Sequence, residues 1–168
     1  WPRLSAVSCW ADASARGALP EVQAAFPAAA VQGKGLLATE GVVSVPVADF
    51  GGCVPALTSH LLEFRAWDGA AASGAALLAD ELEAGREYDV VLTTGGGLWR
   101  YSLGDVVKVT RAVGRVPVLE FVGRGASASD LCGEKLSAAF GGPVLAKRGA
   151  RGLWSGPFAM LAPGEGGP

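Results

Sequence analysis

Between residues 31 and 122 the chain is cut into short apolar or alternating runs by clusters of Gly, Pro, Asp and Ser, and this punctuation limits the fold more than any other feature. Runs of that length, closed by turn formers, suit β-strands joined by tight connections. Residues 88–94 are rich in β-branched side chains and stop at Gly95, Gly96 and Gly97, where a backbone without side chains can turn sharply or approach a ligand. Extended chain restarts at 98–101, and residues 105–110 and 118–122 predict two further strands linked through Ala112 to Pro117. A meander is the simplest topology. In residues 60–67 the two-residue period puts His60, Leu62 and Phe64 on one face and Leu61, Glu63, Arg65 and Trp67 on the other, so both faces are partly apolar, as in a covered strand.

Helical patterning is confined to residues 19–26, 74–84 and 129–140, the last with Ser129 or Asp130 as N-cap. Residues 69–76, an Ala-Gly-Ser stretch, suit a loop tip. Strand patterning ends at 123–127, where small residues begin, and a domain boundary with a hinge is expected there.

Half of the 168 residues are hydrophobic, enough for one domain, or one domain and a piece of another. The 14 basic and 16 acidic residues are scattered without blocks, which gives no electrostatic footprint for nucleic acid or an anionic membrane. Cys9, Cys53 and Cys132 are far apart and lack C-x-x-C spacing, so neither a disulfide framework nor a zinc site is expected, and a reducing cytoplasm fits. No apolar run is long enough to span a bilayer and no secretory signal pattern opens the chain. The start without Met and the turn-rich residues 162–168 read as cuts at both ends.

Three clusters carry possible chemistry. In residues 33–41, Thr39 and Glu40 sit side by side in a glycine-flanked turn, a hydroxyl for a phosphate oxygen beside a hard carboxylate for Mg²⁺; a solvated turn after a buried strand explains the same residues. Tyr101 and Asp105 bracket a second turn, where the carboxylate can accept from ribose hydroxyls, although Gly-Asp is also ordinary hairpin chemistry. Arg124 and, eleven positions on, Lys135 offer a guanidinium fork and a mobile ammonium; basic residues on a solvated hinge are the plainer alternative.

Taken in order, these clusters resemble the GH3 family of acyl-acid amido synthetases, among the adenylate-forming enzymes and in its bacterial branch. The likeness is carried by residues 35–41 (Gly-Leu-Leu-Ala-Thr-Glu-Gly), 62–64, 85–94, 98–107 (Leu-Trp-Arg-Tyr-Ser-Leu-Gly-Asp-Val-Val) and 121–124, and runs from about Trp1 to Lys135. It implies an α/β, mixed and β-rich fold. Residues 1–123 would be the later part of a large N-terminal domain, and residues 124–168 a hinge and the beginning of a C-terminal lid. The implied reaction is ATP-dependent. A carboxylic acid is activated as its adenylate with loss of pyrophosphate, and an amino acid then displaces AMP to form an amide. On matching positions Thr39 would contact phosphate, Glu40 would ligate Mg²⁺, Asp105 would hold the ribose with Tyr101 among the cofactor-binding residues, Arg124 would bind nucleotide at the hinge, and Lys135 would be the lid lysine at the α-phosphate. Thr94 and Gly95 to Gly97 would sit beside the acyl pocket.

Three departures from the family pattern are visible. Its Ser/Thr-rich phosphate loop belongs upstream of these residues. Leu36 stands where an aromatic would stack on adenine, which predicts apolar packing there. Ser102 stands where an arginine would follow the tyrosine, leaving Arg100 or Arg124 to supply charge. A non-catalytic, β-rich binding or scaffold module is the rival reading. His60, the only histidine, reads as a satisfied core or surface residue, the cysteines as inert, and the five tryptophans as core.

Overall fold

The computed structural model describes residues 1–125, 128–131 and 134–137. The chain divides into two compact units, Trp1–Gly125 and Ala126–Pro168.

The first unit opens with strand β1 (Ala6–Cys9), helix α1 (Leu19–Ala25) and strand β2 (Ala30–Gly33), and the two strands pair in parallel around the helix. Pro20 and Glu21 in the first turn of α1 suit a helix N-terminus, where the proline lacks an amide that would be orphaned anyway. The helix expected over 19–26 is therefore present. The segment before it ties this unit to the main sheet: Arg16 donates to Glu120 at 2.7 Å, and Asp12 accepts the backbone N–H of Phe121 at 3.2 Å.

Seven antiparallel strands complete the unit: β3 (Ser44–Val47), β4 (Gly52–Pro55), β5 (Leu61–Trp67), β6 (Ala72–Leu77), β7 (Glu87–Thr93), β8 (Tyr101–Val113) and β9 (Val116–Arg124). Their order is β3-β4-β9-β8-β7-β5-β6. The meander holds for β7 to β9 only. The edge of β5 that β6 leaves free is taken by β7, and the β3–β4 hairpin adds to β9 at the other side. The separate runs 98–101 and 105–110 are largely one 13-residue strand, β8, whose hairpin to β9 turns at Gly114 and Arg115.

Alternation builds the core as expected. Leu62 and Phe64 of β5, Tyr88, Val90 and Leu92 of β7, and Val107 and Val109 of β8 are buried on one face, with Leu36 and Val43 packed over them. The Tyr88 hydroxyl, inside this core, accepts the N–H of Glu83 at 2.9 Å.

Two helix expectations are corrected. Residues 74–84 form β6 and a single 3-10 turn, Ala79–Glu81, instead of a helix, and the stretch 69–76 is in part that strand instead of a loop tip. Local propensity loses to pairing here: Asp68 accepts the N–H groups of Ala70 and Ala71 to make the turn, and the unpaired edge of β5 captures residues 72–77. In the second unit, β10 (Ala128–Leu131) and β11 (Glu134–Ser137) form an antiparallel hairpin in place of the helix expected over 129–140. A two-residue Cys-Gly connection between short runs favours the hairpin; residues 138–140 lie outside the described residues.

The tryptophans are not uniformly core. Trp1, Trp10 and Trp99 are exposed and Trp67 is half-buried, its ring lying against the backbone of Gly125; Trp154 lies outside the described residues.

Candidate functional site

Thr39 and Glu40 form the two-residue tip of a tight hairpin. Ala38 and Gly41 exchange both backbone hydrogen bonds (3.1 and 3.3 Å) and Leu37 bridges Val42. The base of the hairpin is fixed. Leu36 and Val43 are core residues, the Leu36 carbonyl accepts from the N–H groups of Val43 and Ser44, and the Leu36 N–H donates to the Ser44 hydroxyl at 2.9 Å. Gly35, at φ 79°, is required: a Cβ there would lie 2.4 Å from the Ser44 carbonyl oxygen.

The tip lies over β7. A Cβ on Gly41 would be 3.5 Å from Leu92 and 2.7 Å from the His60 ring, so the hairpin rests on both side chains. Leu92 pairs with Tyr101 across to β8, and Asp105, further along β8, pairs with Arg124 of β9. His60 immediately precedes β5, on one side of β7, while Tyr101 and Asp105 lie on β8 and Arg124 on β9, on the other side.

Asp105 is buried, and Arg124 Nε donates to it at 3.1 Å. Burial is the largest influence on this carboxyl and raises its pKa above the ordinary aspartate value. The Arg124 guanidinium opposes the rise, while the negative charges of Glu40 and Asp89 add to it. Arg124 is held more firmly in its charged form, first by the hydrogen bond to Asp105, and Glu40 and Tyr101 contribute in the same direction. The charges of Glu40, Asp105 and Arg124 therefore influence one another.

Lys135 lies on β11 in the second unit, in register with Asp130. Its side chain is outside the described residues.

Leu36 is 5 % exposed and belongs to the core, so its side chain is not available to pack on a base. The apolar adenine contact expected at Leu36 is therefore withdrawn. Of the two arginines expected to replace the one missing beside Tyr101, Arg124 pairs with Asp105, but Arg100 binds Glu63 at 3.0 Å, and Glu63 alternates onto the face opposite Leu62 and Phe64. Arg100 is held with φ 46°, its N–H donating to the Thr93 hydroxyl at 2.9 Å.

Sequence reasoning missed a network on that opposite face. Asp89, 3 % exposed in the middle of β7, accepts two bonds from Arg65 (2.6 and 3.2 Å) and one from the Ser102 hydroxyl (3.3 Å), and Arg65 also donates to Ser102 at 3.0 Å. A charge inside an otherwise apolar run was the available signal. His60 also departs from expectation. Its Nδ1 is buried and has no partner among the described residues, so it is not a satisfied histidine. The ring lines an open groove of about 580 Å³ with Leu57, Leu61, Thr93 and Gly95. Gly95, placed by resemblance beside an acyl pocket, is at this groove.

Fold and motifs together define the class. Residues 53–124 match the model of the GH3 family central domain. A probable indole-3-acetic acid-amido synthetase GH3.6 of Oryza sativa subsp. japonica is 31 % identical over 137 residues, covering 74 % of this chain and 28 % of that protein. The GH3 domain-containing protein of Homo sapiens is 36 % identical over 80 residues, 48 % of this chain and 15 % of the relative. Among solved structures, the AtGH3.15 acyl acid amido synthetase in complex with 2,4-DB superposes with TM-score 0.68 at 19 % identity, covering 82 % of this chain and 24 % of that one. The chain belongs to the GH3 family. It spans less than a third of the length of these relatives.

Proposed function

We propose that this chain is the nucleotide-binding portion of an ATP-dependent acid–amino acid ligase acting in the cytoplasm, with residues 124–168 as its hinge and the beginning of its lid. The supporting observation is the hydrogen-bonded Asp105–Arg124 pair on β8 and β9, beside strand β7, over which the Glu40 hairpin lies. One carboxylate on an accessible turn suits Mg²⁺, which keeps most of its coordination for water and phosphate. An ionised carboxylate beside a guanidinium suits a ribose carrying phosphates, because one accepts from hydroxyls and the other donates to anionic oxygens.

In this reading ATP supplies the activating group that makes a carboxylic acid reactive toward an amino acid, and is split to AMP and pyrophosphate. Thr39 would donate its hydroxyl to a phosphate oxygen, and Glu40 would hold Mg²⁺, whose charge would offset that of the phosphates. Asp105 accepts from the ribose and also fixes the orientation of Arg124. Lys135, carried by the lid, brings a positive charge to the oxygens where negative charge develops. The protons that the amino acid's ammonium group loses as the amide forms are not assigned to these residues. Their work is positioning and charge stabilisation.

The test is pyrophosphate exchange by the full-length parent, with a panel of carboxylic acids and amino acids. Glu40→Ala and Asp105→Ala are each expected to lower the rate by about a hundredfold or more, the loss typical of a removed transition-state contact. Rates like those of the unaltered enzyme in both variants would remove these assignments, and absence of exchange with every acid would remove the ligase reading.

A further inference from the structure

Resting on the reading of Glu40 above, we propose that His60 is a positioning residue for the reaction: its ring is the wedge that sets where the Thr39–Glu40 tip stands over β7. The base and the tip of this hairpin are supported differently. At the base, Gly35 is required by its own left-handed backbone and by the Ser44 carbonyl. At the tip, Ala38 and Gly41 bond to each other, which closes the turn but leaves its tilt against the sheet to other contacts.

Those contacts are below Gly41. Its backbone is not left-handed, so its φ alone would accept alanine. What excludes a side chain there is His60. An added Cβ would lie 2.7 Å from both Cδ2 and Nε2 of the ring, but at an ordinary 3.5 Å from Leu92. The imidazole edge is therefore the nearest surface beneath the hairpin.

Hydrogen bonding does not account for this ring. Nδ1 is buried and has no partner among the described residues, an arrangement that destabilises a fold. Contact with the hairpin is what remains. On its other side the ring faces the open groove of Leu57, Leu61 and Gly95, so it has somewhere to go if the hairpin presses on it. A metal ligand on a two-residue tip depends on such a support, because small displacements of a ligand's outer contacts weaken the metal.

The experiment is pyrophosphate exchange by the full-length parent at saturating ATP and acid, with Mg²⁺ varied and the folded state of each variant checked by near-ultraviolet circular dichroism. His60→Ala is expected to raise the half-saturating Mg²⁺ concentration about tenfold. Gly41→Ala is expected to do the same, since its methyl group drives apart the ring and the tip. The double variant should be no worse than His60→Ala alone, because the methyl group then meets only Leu92. His60→Phe keeps the wedge and should restore a Mg²⁺ dependence close to the parent's. An unchanged Mg²⁺ dependence in folded His60→Ala or Gly41→Ala overturns the assignment, and so does a His60→Phe variant that behaves like His60→Ala. Glu40→Ala separates the two readings: if it leaves the Mg²⁺ dependence unchanged, the metal role of Glu40 is lost and that of His60 with it, whereas a shift in Glu40→Ala without one in His60→Ala removes only the wedge.

Discussion

Arg65→Met is expected to cost the fold about 3–5 kcal/mol, the penalty for leaving a buried charge without its partner. Asp89 is almost wholly out of water in the middle of β7, whereas the Arg65 side chain is 35 % exposed on β5. The two halves of the pair are therefore not equivalent. Without Arg65 the Asp89 carboxylate keeps only the Ser102 hydroxyl at 3.3 Å, too little to replace its lost hydration. Methionine preserves the packing of the aliphatic stem, so the variant isolates the charge. The double variant Arg65→Met, Asp89→Leu is expected to recover most of the loss, because two apolar groups across neighbouring strands leave nothing unpaired. Urea denaturation at constant m-value measures both. A single variant within about 1 kcal/mol of the parent would mean that the pair behaves as a surface ion pair.

Asp105→Asn is expected to act on stability and on binding in opposite directions. The native carboxyl has a raised pKa, mainly through burial, so it keeps its proton to higher pH than it does in the unfolded chain. Between the two values the folded state binds more protons. The contribution of Asp105 to stability is then fully present below the unfolded value, and it is lost as pH rises through the folded one. Asparagine carries no such term, and its side-chain oxygen still accepts from Arg124. The variant should therefore melt above the parent at neutral pH, with the difference closing below roughly pH 4. Nucleotide binding should weaken by about tenfold or more, since a charged acceptor is replaced by a neutral one. In the parent, affinity for Mg²⁺ and ATP should rise with pH as Asp105 ionises, and this rise should be reduced in the variant. Thermal melts and titrations across the acidic range test both, and a stability difference that grows toward low pH contradicts the expectation. Stability surrendered for a functional charge is a common bargain at binding sites.

Much of this arrangement is legible in the residues alone. The alternation in residues 60–67 assigns Leu62 and Phe64 to one face and Glu63 and Arg65 to the other, because β-strand geometry leaves no other choice. Thr39, Glu40, Asp105 and Arg124 stand out as candidates because their residue types and order are distinctive, and of these the sheet pairs Asp105 with Arg124. The features that escape the sequence depend on partners distant along it. Nothing local ties Asp89 to Arg65, 24 residues earlier, or to Ser102, 13 residues later. Strand β6 is hidden because Ala, Ser and Gly side chains carry no clear period, and only the free edge of β5 decides their conformation. The role of Leu36 reverses for a similar reason. Its side chain is apolar, and whether it serves a ligand or the core depends on the surface the hairpin folds onto.

The most direct measurement is a crystal structure of the chain with Mn²⁺ and a non-hydrolysable ATP analogue, using the anomalous signal to locate the metal. The expected result is the metal bound directly to the Glu40 carboxylate, the ribose hydroxyls on Asp105, and Arg124 against the sugar or phosphates. Nucleotide and metal found on the far side of the sheet, beside Arg65 and Asp89, would contradict it.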